Sequence, residues 1–175
     1  MTTIEERAKK IKLLAFDVDG VMTDGSIFLS ETGEETKRFN VKDGQGLVRI
    51  QKSGFIVAII TARENGTVTH RFENLNVKEI HQGKKYKLPV LDEILKKYDL
   101  TYEQVSYMGD DLPDICILEK VGLATCPLDA VDEVKRICHF ISTKEGGRGA
   151  VRELTDLILK AQGIDKEYIV SEQDK

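Results

Sequence analysis

The run Leu13-Leu14-Ala15-Phe16-Asp17-Val18-Asp19-Gly20 constrains this chain more than any other stretch. Four apolar residues stop abruptly at two aspartates and a glycine. The apolar part reads as a strand buried on both faces, the pattern of a parallel sheet. Gly20 frees the backbone to turn where the strand ends. Asp17 and Asp19 stand two apart, so in extended chain they lean to the same side. Open α/β sheets place their chemistry at the carboxyl ends of strands. Paired carboxylates repel each other, and a hard divalent cation with oxygen ligands relieves the repulsion. The plainer alternative is a charged turn that caps the next element.

The rest of the chain alternates in the way such a strand requires. Further strands are expected at 55–60, 79–82, 105–108, 122–125 and 139–142. Helices are expected between them, at about 45–52, 65–75, 87–98, 113–120, 131–136 and 150–161, after a short leading helix at 4–10. In the 87–98 helix Leu88, Leu91, Ile94 and Leu95 share one stripe. Thr101 and Gln104 form a capping box for a short helix. Strand–helix alternation predicts an α/β fold: a Rossmann-like, doubly wound, mostly parallel sheet with right-handed crossovers. At 175 residues, with no repeat or linker, one domain spanning 1–175 is the economical reading.

The segment 26–39 departs from this alternation. Residues 26–30 and 35–39 read as two strands around Glu31-Thr32-Gly33-Glu34, a hairpin. Its apolar residues Ile27, Phe28, Leu29 and Phe39 do not fall on one face. A lone two-stranded hairpin is marginal in water, and its open edges invite another chain. Packing against another subunit is therefore expected; packing onto the chain's own domain is the competing reading.

Composition excludes several classes. A net charge of -4 gives no reason to expect nucleic acid or an anionic membrane as partner. No apolar run approaches the ~18 residues of a membrane span, and the polar, charged N-terminus is not a secretory signal. Cys116, Cys126 and Cys138 have no CxxC spacing and read as reduced thiols, so a cytoplasmic location is expected.

Three strand ends now carry polar groups: Asp17/Asp19, Thr61/Arg63 and Asp110/Asp111. In a parallel sheet all three lie on one edge, and Lys87, at the start of a helix, reaches the same edge. Aspartates to hold a metal, with Thr and Lys to meet an anion, suit a phosphorylated substrate. In this order and strand context, Asp17-Val18-Asp19-Gly20, Thr61, Lys87 and Gly109-Asp110-Asp111 with Asp114 resemble the four motifs of the haloacid dehalogenase superfamily of phosphatases. More narrowly, the chain resembles the small sugar-acid phosphatases that cleave 3-deoxy-D-manno-octulosonate 8-phosphate. The run 17–25, the stretch 39–44, Ile60-Thr61-Ala62-Arg63, Gln82-Gly83, Gly109-Asp110-Asp111-Leu112 and the 146–153 stretch carry that likeness.

The resemblance implies a set of roles. Asp17 attacks phosphorus and becomes an aspartyl-phosphate. Asp19 protonates the leaving oxygen and then activates water. Asp17, the backbone carbonyl of Asp19, and Asp110 hold Mg²⁺. Thr61 holds phosphoryl oxygens, and Lys87 rather than Lys84 or Lys85 offsets their charge. Asn40, Val41, Lys42, Asp43 and Gly44 contact substrate beside Asp19 and Lys87. Arg63 and Arg71 are candidates to clamp its carboxylate or phosphate, although a solvated role for Arg71 competes. Asp111 supports the metal indirectly, and Asp114 either joins the site or is an ordinary first-turn carboxylate. The intervals 17–61 and 61–87 leave no room for an inserted cap domain, which implies an open site. Members of this kind close it by forming homotetramers in which hairpins meet. Arg148 and the polar tail 164–175 are then expected near a neighbouring site, against the alternative of a frayed terminus.

Two rival readings draw on the same residues. A nine-carbon relative, 2-keto-3-deoxynonulosonate 9-phosphate, differs from the eight-carbon substrate by one carbon. A phospho-receiver domain or silent scaffold would also gather acidic groups, Thr and Lys. Receivers, however, place the phosphorylated Asp after the third strand, and 79–82 carries none.

Overall fold

β1 (Leu13–Phe16) has all four residues buried, and the sheet forms around it on both sides. The structure is a computed structural model and describes residues 2–164. The other strands of the main sheet are β4 (Ile56–Ile60), β5 (Glu79–His81), β6 (Val105–Met108), β7 (Leu123–Cys126) and β8 (Phe140–Ile141). Their spatial order is β5-β4-β1-β6-β7-β8, and every pairing is parallel. The chain thus works outward from β1 to β5, returns across β1, and works outward again from β6. That reversal leaves a crevice at the carboxyl ends of β1 and β6.

Alternation along β1 divides the core in two. Leu14 and Phe16 face one side, where they meet α1 (Ile4–Ala8), α2 (Val41–Lys52), α3 (Gly66–Asn74) and α7 (Ala150–Ala161). Leu13 and Ala15 face the other, against α4 (Lys87–Tyr98), α5 (Ile115–Leu118) and α6 (Asp132–Ile137). Helices therefore cover both faces, as the doubly wound expectation requires. The stripe residues Leu91, Ile94 and Leu95 of α4 are buried, with Leu88 packed beside them. Between β1 and β4 lie only a hairpin and α2, and between β4 and α4 only α3 and β5. Among the described residues there is no inserted cap domain.

Three local expectations need correction. The hairpin ladder is shorter than the sequence predicts: β2 (Phe28–Leu29) pairs antiparallel with β3 (Glu35–Thr36) and nothing more. α5 starts only at Ile115, because Asp111 and Asp114 close a reciprocal capping box over a 3₁₀ turn, Leu112–Asp114, with Pro113 inside it. α2 begins at Val41, not near residue 45. Asn40 is its N-cap, its side chain accepting from the Lys42 N–H at 2.8 Å. Gly44 and Gly46 disfavour helix by propensity, yet a Cβ at Gly46 would run into Thr155 and Arg152 of α7. Close packing of the two helices requires the small residue and outweighs its helix cost.

The same packing settles Asp43. It is fully buried, and its two oxygens accept from the backbone N–H groups of Gly149 (3.1 Å) and Arg152 (2.9 Å). α7 has no side-chain cap of its own at Gly149, so Asp43 caps it from another helix. Asp43→Ala should therefore cost roughly 1–3 kcal/mol, since it strips a cap and leaves buried N–H groups unpaired. Urea denaturation measures it, and a midpoint equal to wild type would contradict the capping role.

Candidate active site

The crevice at the carboxyl ends of β1, β4 and β6 is a cleft of about 340 Å³. Asp17, Asp19, Gly20, Thr61, Arg63, Lys87, Asp110 and Asp111 line it. Each arrives by simple geometry: Asp17 is the first residue beyond β1, Thr61 the first beyond β4, and Asp110 and Asp111 follow β6 by way of Gly109. Gly20 makes the first turn possible with φ +83°, and a Cβ there would collide with the Asp110 carboxylate. Gly20 is thus required both for its backbone shape and for the space above Asp110.

Lys87, the first residue of α4, is buried at 1% exposure. Its Nζ lies 2.8 Å from Asp17 Oδ2 and 2.7 Å from Asp114 Oδ1. Burial works against its charge, but Asp17 and Asp114 more than compensate and raise its pKa above the usual value. Asp114 is also buried. Its Oδ1 accepts from the Tyr107 hydroxyl at 2.6 Å, and its Oδ2 accepts from the backbone N–H groups of Asp110 (3.0 Å) and Asp111 (3.3 Å). Asp114 is therefore no ordinary helix-start carboxylate: it anchors Lys87 and the loop after β6.

Asp17 and Asp19 both line the cleft but are held by different cations. Asp19 Oδ1 lies 2.5 Å from the Lys37 ammonium, and its Oδ2 is 3.9 Å from Arg63 Nε. Glu35 binds both Lys37 and Arg63. Lys37, Glu35 and Tyr107 are site residues that the sequence reading passed over. The first two carried a signal, since residues two apart on a strand share a face. Tyr107 carried none, being one apolar residue among others in a buried strand.

The remaining expected residues divide. Lys42 and Val41 are exposed, Val41 at 80%. Asn40 donates to the Gly147 carbonyl at 3.2 Å. Asp43 is buried against α7, and Gly44 is buried beside the Arg71 guanidinium. Arg71 lies over the Phe39 ring and near the Asn40 carbonyl, at 3.5 Å, outside the residues lining the cleft. Arg148 is exposed and pairs with Asp24 and Glu145. The tail beyond residue 164 lies outside the described residues.

The acidic groups of this edge fit a hard divalent cation. Carboxylate oxygens of Asp17, Asp110 and Asp114 lie within 4.8 Å of one another. Both oxygens of Asp114 are already taken by Lys87, Tyr107 and two N–H groups, so it is the poorest donor of the three. Asp110 Oδ1, by contrast, is buried with no hydrogen-bond partner among the described residues. Burial first, then Asp17, Asp114 and Asp111, push Asp110 up to about 8. Burial and Asp114 push Asp17 up to about 6, against the pull of Lys87. A buried polar oxygen without a partner, in a carboxyl that resists ionisation, is what a bound cation would satisfy.

The family profile described as haloacid dehalogenase-like hydrolase matches residues 77–154, which carry Lys87, Asp110 and Asp114. Taken with the relatives that match nearly the whole length, it shows that this chain belongs to the family of haloacid dehalogenase-like hydrolases. Within that family the likeness is narrower. The chain is 42% identical over 162 residues to 3-deoxy-D-manno-octulosonate 8-phosphate phosphatase of Salmonella typhi, covering 93% of this chain and 86% of that one. The crystal structure of the Yersinia pestis phosphatase of the same name superposes with a TM-score of 0.92 at 42% identity, over 93% of this chain and 88% of that one. The Moraxella catarrhalis enzyme, solved with a magnesium ion, a phosphate ion and a KDO molecule, superposes with a TM-score of 0.91 at 41% identity, over 93% of each chain.

The raised carboxyls have a pH consequence. Folded pKa values of about 6 (Asp17) and about 8 (Asp110) exceed the ordinary 3.8. The stability such groups lend the metal-free fold is fully present below their ordinary 3.8 and is lost progressively as pH rises to about 6 for Asp17 and about 8 for Asp110. A cation that binds the ionised form reverses this and releases protons. Millimolar Mg²⁺ should therefore raise Tm more at pH 8 than at pH 5.5, by differential scanning fluorimetry. An increment that is equal at both values, or larger at pH 5.5, would contradict the assignment.

Proposed function

We propose that this protein is a Mg²⁺-dependent phosphatase that hydrolyses 3-deoxy-D-manno-octulosonate 8-phosphate to the free sugar acid and phosphate, a step of lipopolysaccharide synthesis in the cytoplasm. The observation that carries the proposal is the cluster at the ends of β1 and β6: a nucleophile candidate 2.8 Å from a buried ammonium, beside a partnerless carboxylate oxygen. The near full-length relatives of that name support the choice of substrate.

The chemistry follows from the residues. The Asp17 carboxylate attacks phosphorus and the ester P–O bond breaks, with Asp19 giving its proton to the departing sugar oxygen. Water then attacks the aspartyl-phosphate, its proton passes to Asp19, and phosphate leaves with Asp17 restored. Lys87 offsets charge on Asp17 and on the transferring group, and its anchoring by Asp114 means that no reorganisation is needed as charge develops. The Thr61 hydroxyl holds a phosphoryl oxygen. Mg²⁺, held by Asp17, Asp110 and the main-chain carbonyl of Asp19, supplies charge neutralisation at the phosphoryl oxygens. Arg63, Arg71, Asn40, Val41 and Lys42 contact the sugar acid.

The test is phosphate release across a panel of sugar phosphates with and without Mg²⁺. We expect the highest kcat/KM for the eight-carbon acid, about 100-fold or more above simple hexose phosphates. Asp17→Asn should lower kcat by roughly 10³-fold or more. Preference for the nine-carbon acid would move the substrate by one carbon, and a stable phosphoprotein without turnover would point to a receiver.

The proposal extends to a homotetramer. Ile27, Phe28 and Leu29 are 56%, 47% and 65% exposed on a two-residue ladder, which is little support for a hairpin standing alone. Neighbouring copies packed on these hairpins would also narrow the open sites. Phe28→Glu should give a smaller species in sedimentation velocity, with reduced kcat/KM. An unchanged sedimentation coefficient, or a monomeric wild type, would remove the assembly from the proposal.

A further inference from the structure

Asp19 is held by a part of the chain that the chemistry above does not use. Lys37 lies just beyond β3 of the hairpin, and its side chain is only 2% exposed. The ammonium is 2.5 Å from Asp19 Oδ1 and 2.7 Å from Glu35 Oε1. The other Glu35 oxygen takes the Arg63 guanidinium. Asp19 Oδ2 is buried and has no hydrogen-bond partner among the described residues. A buried ammonium is costly unless it is paired, so this placement restrains both carboxylates. One oxygen of Asp19 is anchored by Lys37, and the other lies 3.9 Å from Arg63 Nε, beyond hydrogen-bond reach.

We propose that Lys37, tethered by Glu35, is a positioning residue for the phosphoryl-transfer reaction: it fixes the Asp19 carboxylate so that the remaining oxygen serves the proton transfer. The role rests on the phosphatase reading and goes beyond it by making the hairpin part of the reaction machinery. Proton transfer needs the donor within about 2.6–3.2 Å of the oxygen it serves. An Asp19 free to turn about its side-chain bonds spends less time in that arrangement. Lys37 exchanges no proton and touches no reacting atom. It acts through Asp19, and Glu35 acts through Lys37, while Arg63 closes the network from the loop after β4. A shift of the hairpin therefore reaches Asp19 directly.

The experiment exploits the leaving group. An alkyl phosphate needs a proton on the departing oxygen, whereas p-nitrophenolate leaves without one. kcat/KM reports steps through the first irreversible one, here phosphorylation of Asp17. Lys37→Met should lower kcat/KM for an alkyl phosphate that wild type turns over by roughly 10- to 100-fold, and that for p-nitrophenyl phosphate by less than about 3-fold. Lys37→Arg should restore part of the alkyl phosphate activity. Equal losses on the two substrates, or no loss on either, would overturn the role of Lys37. Thermal unfolding checks that the variant is folded. Should Lys37→Met fail to fold, Glu35→Gln loosens the tether while leaving the ammonium in place, and the same split in smaller measure is expected, its absence again overturning the role. A wild type that hydrolyses no alkyl phosphate would instead overturn the phosphatase reading itself.

Discussion

A single buried ammonium between two carboxylates organises this molecule's working edge. Lys87 bridges Asp17 and Asp114 at 2.8 and 2.7 Å, in a place where an unpaired charge would cost several kcal/mol. Four aspartates, at 17, 110, 111 and 114, crowd the ends of β1 and β6. Lys87 meets two of them directly. Asp114 in turn gives both oxygens to Lys87, Tyr107 and the amides of Asp110 and Asp111, so the loop after β6 takes its shape from the same pair. Asp110 meets the ammonium less directly, and burial together with the neighbouring aspartates pushes its carboxyl up to about 8. Concentrating acidic groups this way is poor for stability alone and makes sense as a seat for a cation.

The frame that supports this edge is built for close approach. Gly20 leaves room for the Asp110 carboxylate, and Gly46 leaves room for α7. Asp43 crosses between helices to cap α7 at Gly149 and Arg152. Directly before α7, Gly147 donates to the carbonyl of Val21 at 2.9 Å in the turn that follows Asp19. The turn carrying Asp17 and Asp19 is thereby held from the sheet, from the β6 loop and from the chain leading into α7. A site on rigid element ends, with most of its polar groups held by other elements, keeps its geometry without a ligand present.

The hairpin stands apart from this economy. It contributes two short strands, three exposed apolar side chains on the first and, across the ladder from them, the Glu35–Lys37 pair that reaches Asp19. Apolar exposure of this kind is costly for a chain in isolation. The Glu35–Lys37 pair explains why the segment is nevertheless tied closely to the cleft. A capless site is open to water, and the hairpin sets an exposed apolar strand opposite the pair that touches Asp19.

Much of this was legible in the amino-acid order alone. Buried four-residue runs ending in Asp17, Thr61 and Asp110, separated by amphipathic helices, dictate a parallel sheet, and a parallel sheet sends all those ends to one edge. α4, whose 87–98 stripe is unbroken, kept its sequence-read bounds, because local periodicity and tertiary burial agree there. Where they disagree, sequence misled: Gly44 and Gly46 look like loop residues but lie inside a packed helix, and nothing near Asp43 in sequence shows that it caps a distant helix. Asp114 stood undecided between two roles, since nothing near it in sequence shows that Lys87, 27 residues earlier, needs a second carboxylate. Lys37 lies just beyond a two-residue strand with no core pattern, so its spacing from Glu35 hinted at a shared face but not at burial against Asp19. Sequence by itself determined the strands, their chemistry-bearing ends and the class of reaction, because these follow from periodicity and residue type within a few positions. Only the tertiary structure decided which oxygen pairs with which cation, because buried charges take the partners that the folding of distant segments brings within 3 Å.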